Sequence, residues 1–446
     1  MSTATSLHGS ASATSKPRRD EVIKVAAASF VGTYIEWYDY FIFGAAAALI
    51  FPKLIFAGMP PAVATIVSLG TIGVTFITRP VGAVIFGHFG DTLGRKNMLV
   101  LSLMIMGAAT FLIGLLPTYQ SIGVASPILL ITIRLLQGVA VGGEWGGATT
   151  MIIEYAPENR RGLFGTFVQL GNVTGLLTST AAFALASSLN ETAFMTWGWR
   201  VPFLVSVVLL AVGMFIRLRL QEPPAFRRLL EAKKSVALPV AKVLQQYPKE
   251  IVVVFAMRLS ETVLGYLIMG WLLAYITGKL GLPRQIGLTG LILATASGVI
   301  TFPLFGWLSD IWGRRPVYLF GCVGACVFAF PMLWMVDSGS TLGIWLAMII
   351  GYGTVLAAQY ALEPAYYAEL FDTDVRYTGV SLGAQLASIA GGFTPAIAAI
   401  FVAWGGGATW PVALFLFIAS ALTTLGVLAA GETFKRDIVQ ARQDNS

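Results

Sequence analysis

Charge is the scarcest commodity in this chain: 11% of its 446 residues are Asp, Glu, Lys or Arg and 56% are hydrophobic, where an ordinary soluble domain carries about 25% charge. A polypeptide so poor in charge cannot clothe a water-soluble surface. Its apolar runs repeatedly reach the ~20 residues a helix needs to cross a bilayer, which leaves no large polar domain. The runs are continuous and do not alternate, so helices are expected and a barrel is excluded. Cysteine is almost absent. Cys322 and Cys326 lie one helical turn apart in an apolar run, so a disulfide framework is excluded and core packing is expected. The only histidines, His8 and His88, both fall outside the apolar runs. A histidine relay inside the membrane, a metal-ligand cluster, and a nucleophile with its base at membrane depth are therefore excluded. No enzyme, metal or cofactor is expected. The net charge of +7 follows the polar connections and forms no single groove, which argues against nucleic acid.

Twelve spans can be drawn, at about 22–50, 62–85, 97–116, 128–152, 163–186, 199–219, 250–277, 288–308, 317–336, 342–365, 378–403 and 411–430. An even number puts both termini on one side. Counting residues within three positions of a span end with the adjoining loop, 22 of the 29 Lys and Arg residues fall on that side, four on the other (Lys53, Arg200, Lys279, Arg284) and three deep inside spans. The positive-inside rule then sets both termini in the cytoplasm. Residues 1–21 read as a disordered cytoplasmic tail with no cleavage site. Residues 22–219 form one six-helix bundle, 220–249 a basic cytoplasmic linker, 250–430 a second bundle and 431–446 a short tail.

Between spans 2 and 3 stands Gly87-His-Phe-Gly-Asp91-Thr-Leu-Gly94-Arg95-Lys96. Between spans 8 and 9, 219 positions later, Gly306-Trp-Leu-Ser-Asp310-Ile-Trp-Gly313-Arg314-Arg315 repeats the same residue types at the same offsets. A second echo closes spans 4 and 10, where Glu154 precedes Arg161 and Glu369 precedes Arg376 by seven positions each. Two repeats at nearly one offset indicate a duplicated six-helix unit. These motifs resemble the signature of the major facilitator superfamily. The resemblance implies an all-α membrane fold of 12 transmembrane helices in two pseudo-symmetric six-helix bundles, working by alternating access as a monomeric unit in the lipid bilayer.

Apart from basic residues at the span ends, eight charged side chains fall within the spans: Glu36, Asp39, Arg79, Arg134, Glu144, Arg258, Glu261 and Glu363. At about 3 kcal/mol each near the bilayer centre, they must be paired, hydrated or neutralised. Glu36 and Asp39 share a face of span 1, in Tyr34-Ile-Glu-Trp37-Tyr38-Asp-Tyr. A carboxylate in an apolar cavity that yields its proton when a cation approaches can couple a proton to a second event. Glu144 is a third candidate for that role, and Arg134 the natural cationic partner. Arg258 and Glu261 lie three apart on span 7, the counterpart of span 1, so the two pairs are expected to face each other. Arg258 suits a substrate carboxylate, with Glu261, Arg134, Tyr34, Trp37 and Tyr38 completing the pocket. Arg79, near the end of span 2, is expected to snorkel to the interface. The glycines after Arg134 at four-residue spacing are expected to pack helices closely.

Four strings are similar to one family within the superfamily, the metabolite:proton symporters of shikimate, 2-oxoglutarate, dicarboxylates and proline or betaine. They are Glu36-Trp-Tyr-Asp39, Arg134 to Gly147, Gly198-Trp-Arg-Val-Pro-Phe203 and Ala368-Glu-Leu-Phe-Asp-Thr-Asp-Val-Arg376. Arg258-Leu-Ser-Glu261 is closest to the shikimate branch. The resemblance implies proton-coupled uptake of a small organic acid, with Asp39 and Arg134 as a proton-coupling pair. Alternatives are proton-coupled export, disfavoured by the lack of a Gly-Pro pair near Gly171-Asn-Val-Thr-Gly175, and uptake of a zwitterionic solute. Asp91, Arg95, Glu154 and Arg161 are expected to form a conformational latch at the cytoplasmic face, with Asp310, Arg314, Glu369 and Arg376 as its second-half equivalent.

Overall fold

The computed structural model describes residues 19–93, 95–142, 149–150, 152–153, 155–219, 239–372 and 375–436. Among these, helices are the regular elements. The first half comprises α1 (Arg19–Leu49), α2 (Pro61–Leu93), α3 (Arg95–Leu115), α4 (Ala125–Val141), α5 (Arg161–Ala186) and α6 (Val201–Arg219). The second comprises α7 (Pro248–Gly278), α8 (Arg284–Trp312), α9 (Arg314–Asp337), α10 (Thr341–Leu370), α11 (Arg376–Gly392 continuing as Thr394–Trp404) and α12 (Trp410–Ala430). Eight of the described helices are long and apolar enough to cross a membrane, and α3 and α4 contain shorter apolar stretches. Residues 220–238 of the expected linker, the first 18 residues and the last ten lie outside the described residues, as do Glu144 and Glu154, while the rest of the linker carries a short helix, Pro239–Gln246.

Packing repeats between the halves as the sequence repeat requires. α1 packs on α5 as α7 does on α11, and α3 on α6 as α9 does on α12. The halves meet through α5 against α8 and through α2 against α11, which is one pairing with the halves exchanged. Close approach needs small residues. A Cβ on Gly138 of α4 would sit 2.1 Å from the Thr75 carbonyl of α2, so this glycine is there for packing. Polarity is turned inside out relative to a soluble protein: Ile300, Val327 and Leu425 are exposed, whereas Arg134, Arg314 and Arg376 are buried. An apolar exterior is what a bilayer solvates.

Two features depart from the expected spans. The signature motif does not stand outside the helices, because α2 and α8 run on through Asp91 and Asp310, well past the expected ends near 85 and 308. In the second half the turn is Gly313 alone, with φ +98°, a conformation that L side chains rarely adopt. Secondly, α7 and α10 each contain a π-helical turn at mid-length, Leu267–Trp271 and Gly351–Leu356. Such turns widen a helix locally and concentrate at functional sites. Here both border the central cavity.

Candidate functional site

A small cavity of about 40 Å³ lies where the halves meet. From the first half come Trp37 of α1, Arg79 of α2 and Asn172 of α5. The second half contributes Arg258, Glu261 and Tyr266 of α7, Tyr352 and Tyr360 of α10, and Gln385 of α11. The π turns set part of this wall, since Met269 and Tyr352 lie within them and Tyr266 immediately before one. Aromatic rings join the halves here: Tyr40 and Phe76 meet Tyr266 edge-on at centroid distances of 6.2 and 5.8 Å.

Contacts between the halves occur on both sides of the membrane-spanning region. At the end carrying the motifs, the Asp310 carboxylate of α8 accepts the backbone N–H groups of Gly162 and Leu163, both at 2.8 Å, and so caps the first turn of α5. Arg314 donates to Asp310 at 2.8 Å and to Glu369 at 3.2 Å, so the structure brings these three latch residues together. Arg376 donates to the Ala368 carbonyl at 2.9 Å, and Arg161 to the Arg436 carbonyl at 3.1 Å. Asp91 and Arg95 are described for their backbone alone. At the opposite end Arg284 of α8 is ion-paired with Glu191, donates to the Ser187 carbonyl at 2.9 Å and lies 4.2 Å over the Phe194 ring. Sequence reasoning had placed Arg284 on the second face but had not given it this partner.

Arg258 is held by two carboxylates. Its Nε is 3.3 Å from Glu261 and its Nη1 is 3.4 Å from Glu363 of α10, an acid with no exposure at all. Tyr367 donates to Glu363 at 3.1 Å and Thr262 to Glu261 at 2.8 Å. Glu363 is thus a third member of a site expected from two residues. It was legible as an intramembrane charge, but its partner lies on another helix.

Arg79 does not snorkel. It is 5% exposed, lines the cavity and lies 4.2 Å over the Phe76 ring. It makes no ion pair among the described residues, and its Nε has no hydrogen-bond partner. The physical reason is helix length: α2 runs to Leu93, which puts Arg79 well inside the helix rather than at its end.

Arg134 and Asp39, expected to pair, do not touch. Arg134 donates to Gln137 at 2.9 Å and to the Thr71 and Ile72 carbonyls at 3.4 Å, and it lies 3.8 Å over the Phe43 ring. Gln137 in turn donates to Thr110 at 2.9 Å, and Thr110, whose hydroxyl donates to the Met106 carbonyl at 3.1 Å, lies beside Asp39. A threonine and a glutamine therefore separate the two charges. Asp39 is 3% exposed with a buried Oδ1 that finds no partner. It is directed at α3 and does not face Arg258 as the helical register had suggested. Glu36 is also buried, at 7%.

Of the three span-1 aromatics, Trp37 reaches the cavity. Tyr38 instead donates to the Pro202 carbonyl of α6 at 3.4 Å, and Tyr34 bonds Thr178 of α5 at 3.2 Å, so both pack the first half. No group of three His, Cys, Asp or Glu side chains that could hold a metal occurs among the described residues.

Comparison with known proteins adds the following. The model of the Major Facilitator Superfamily matches residues 29–395. The shikimate transporter of Escherichia coli is 38% identical over 409 residues, which cover 90% of this chain and 93% of the relative. An inner membrane metabolite transport protein of the same organism is 37% identical over 421 residues, covering 92% and 94%. Among solved structures, a proton:xylose symporter superposes with a TM-score of 0.70 over 94% of this chain and 98% of its own, at 13% identity. That likeness is one of fold.

Proposed function

We infer that this chain, which belongs to the major facilitator superfamily of multi-pass membrane transporters, takes up a small organic acid together with protons across a bacterial inner membrane, its termini in the cytoplasm. One observation carries the reading. Two arginines, Arg79 and Arg258, line one cavity between the halves, and Arg79 makes no ion pair among the described residues. A desolvated guanidinium without a counter-charge costs several kcal/mol, and a carboxylate gripped by its planar fork offsets that cost. The aromatic wall of Trp37, Tyr266 and Tyr352 supplies apolar faces and hydroxyls for a small ring or short chain. The relative named as a shikimate transporter makes a cyclic hydroxy acid the first ligand to try.

Asp39 is the proposed proton carrier for the first half. The Thr110–Gln137 chain to Arg134 gives it a polar route to a fixed positive charge, so a change at one end is felt at the other. Glu261 could suit the ammonium of a zwitterion, but Arg258 and Thr262 already hold it, which favours an anionic substrate. Thermal-shift measurement of the purified protein against organic acids and zwitterions tests this. A ligand at a hundred times its Kd stabilises by about 2.7 kcal/mol. Shikimate or another carboxylate should raise the melting temperature and betaine should not. A shift with betaine alone would overturn the anion reading.

A further inference from the structure

We propose that the Glu261–Glu363 carboxyl pair holds a proton between its oxygens in the ligand-free carrier, giving the second half a proton site of its own at the wall of the substrate cavity. The inference deepens the proposed function and rests on it only for what the proton does in transport.

The geometry comes first. Glu261 on α7 and Glu363 on α10 approach one guanidinium, that of Arg258, at 3.3 and 3.4 Å, and their carboxyl groups lie within hydrogen-bonding reach of each other. Ionised carboxylates only accept hydrogen bonds. Two of them in contact repel unless a proton lies between, which turns the contact into a strong, charge-assisted bond. A single guanidinium neutralises one acid of the pair and leaves the other.

Among the described residues no second cation supplies the balance. Arg134 is held by the Thr71 and Ile72 carbonyls and by Gln137, and Arg79, which shares the cavity, reaches neither acid. The other titratable groups facing the pair are the phenols of Tyr266, Tyr318, Tyr352, Tyr360 and Tyr367, which carry no charge at neutral pH.

Position makes the site useful. Glu261 lines the cavity and Glu363 lies wholly behind it, so a proton enters and leaves through the space the substrate occupies. An anion that draws Arg258 away from the acids strengthens their hold on the proton, and a proton on the acids loosens their hold on Arg258. Each ligand therefore favours the other, by the same factor in both directions.

Infrared difference spectroscopy of the full-length protein in lipid, at neutral pH and without substrate, reads the proton through the carbonyl stretch of a protonated carboxylic acid. Wild type minus Glu363→Gln and wild type minus Glu261→Gln should each show loss of one protonated-acid band, because either substitution leaves a single acid opposite Arg258, which then ionises. Unchanged protonated-acid intensity in both variants overturns the proposal. If the variants do not fold, wild type isotopically labelled at the glutamate carboxyl should show a protonated-acid band that shifts with the label. No such band overturns the proposal as well. Since no substrate is present, failure here leaves the transport reading standing. A carrier that accumulates nothing would leave the band untouched.

Discussion

Arg134 and Arg258 are both buried, one in each half, and their surroundings are opposite. Arg134 sits in a cage of carbonyl oxygens, the Gln137 amide and the face of Phe43, with no carboxylate within ion-pair distance among the described residues. Arg258 sits between Glu261 and Glu363. The first charge is stabilised by neutral groups: a desolvated cation–π contact contributes about 2 kcal/mol and each hydrogen bond to a charge about 1.5–3. The second is stabilised by acids that a proton can neutralise. The same residue type is therefore a fixed charge in one half and a titratable assembly in the other. The half with the acids is also the half whose helices carry π turns at the cavity.

The largest effect expected from breaking this contrast is at Arg258. Arg258→Met strips the counter-charge from two buried acids, and the loss should be about 3–5 kcal/mol in stability, with uptake abolished. Denaturant or thermal unfolding in detergent, alongside uptake, checks it. Asp39→Asn should come next: gradient-driven accumulation is lost while counterflow without a gradient persists, because the amide keeps the shape and cannot cycle a proton. Wild-type accumulation in this variant would move the role to Glu36 or Glu144. Arg134→Met should cost less than Arg258→Met, about 1–3 kcal/mol, since only neutral groups are left behind. A cost equal to that of Arg258→Met would mean that Arg134 has an acid partner after all and would erase the contrast. The smallest effect is expected at the motif end. Asp310→Asn weakens two hydrogen bonds to the start of α5, worth about 1 kcal/mol, and should shift the balance of cavity states roughly fivefold. It should change apparent affinity for all substrates by one factor, while cysteine accessibility on the two faces reports the shift. A reordering of substrate preference would count against the latch.

The sequence disclosed the architecture because repeats and long apolar runs are local signals. The two Asp-x-x-Gly-Arg strings fixed the duplication, and the repeated packing of α5 on α8 and α2 on α11 follows from it. Half of the site was legible in the same way, since Arg258 and Glu261 are neighbours on one helical face. The rest was not, because it depends on where helices end and cross. Arg79 looked like an interfacial residue until α2 proved to continue to Leu93. Glu363 was visible as a costly charge, but nothing in the sequence says that α10 brings it to Arg258. The Asp39–Arg134 pair came from resemblance, and two intervening side chains, Thr110 and Gln137, take its place. Tyr38 was misassigned to the pocket because a helical face at three-residue spacing cannot distinguish the cavity from α6.

The most direct test of the account is uptake of a labelled carboxylate, shikimate first and then any acid that raises the melting temperature, into proteoliposomes bearing an imposed pH gradient. The account predicts accumulation above the outside concentration when the outside is acidic, collapse of that accumulation on adding a protonophore, and loss of uptake in Arg79→Gln. Uptake that merely equilibrates, with or without the gradient, and that survives Arg79→Gln would contradict it.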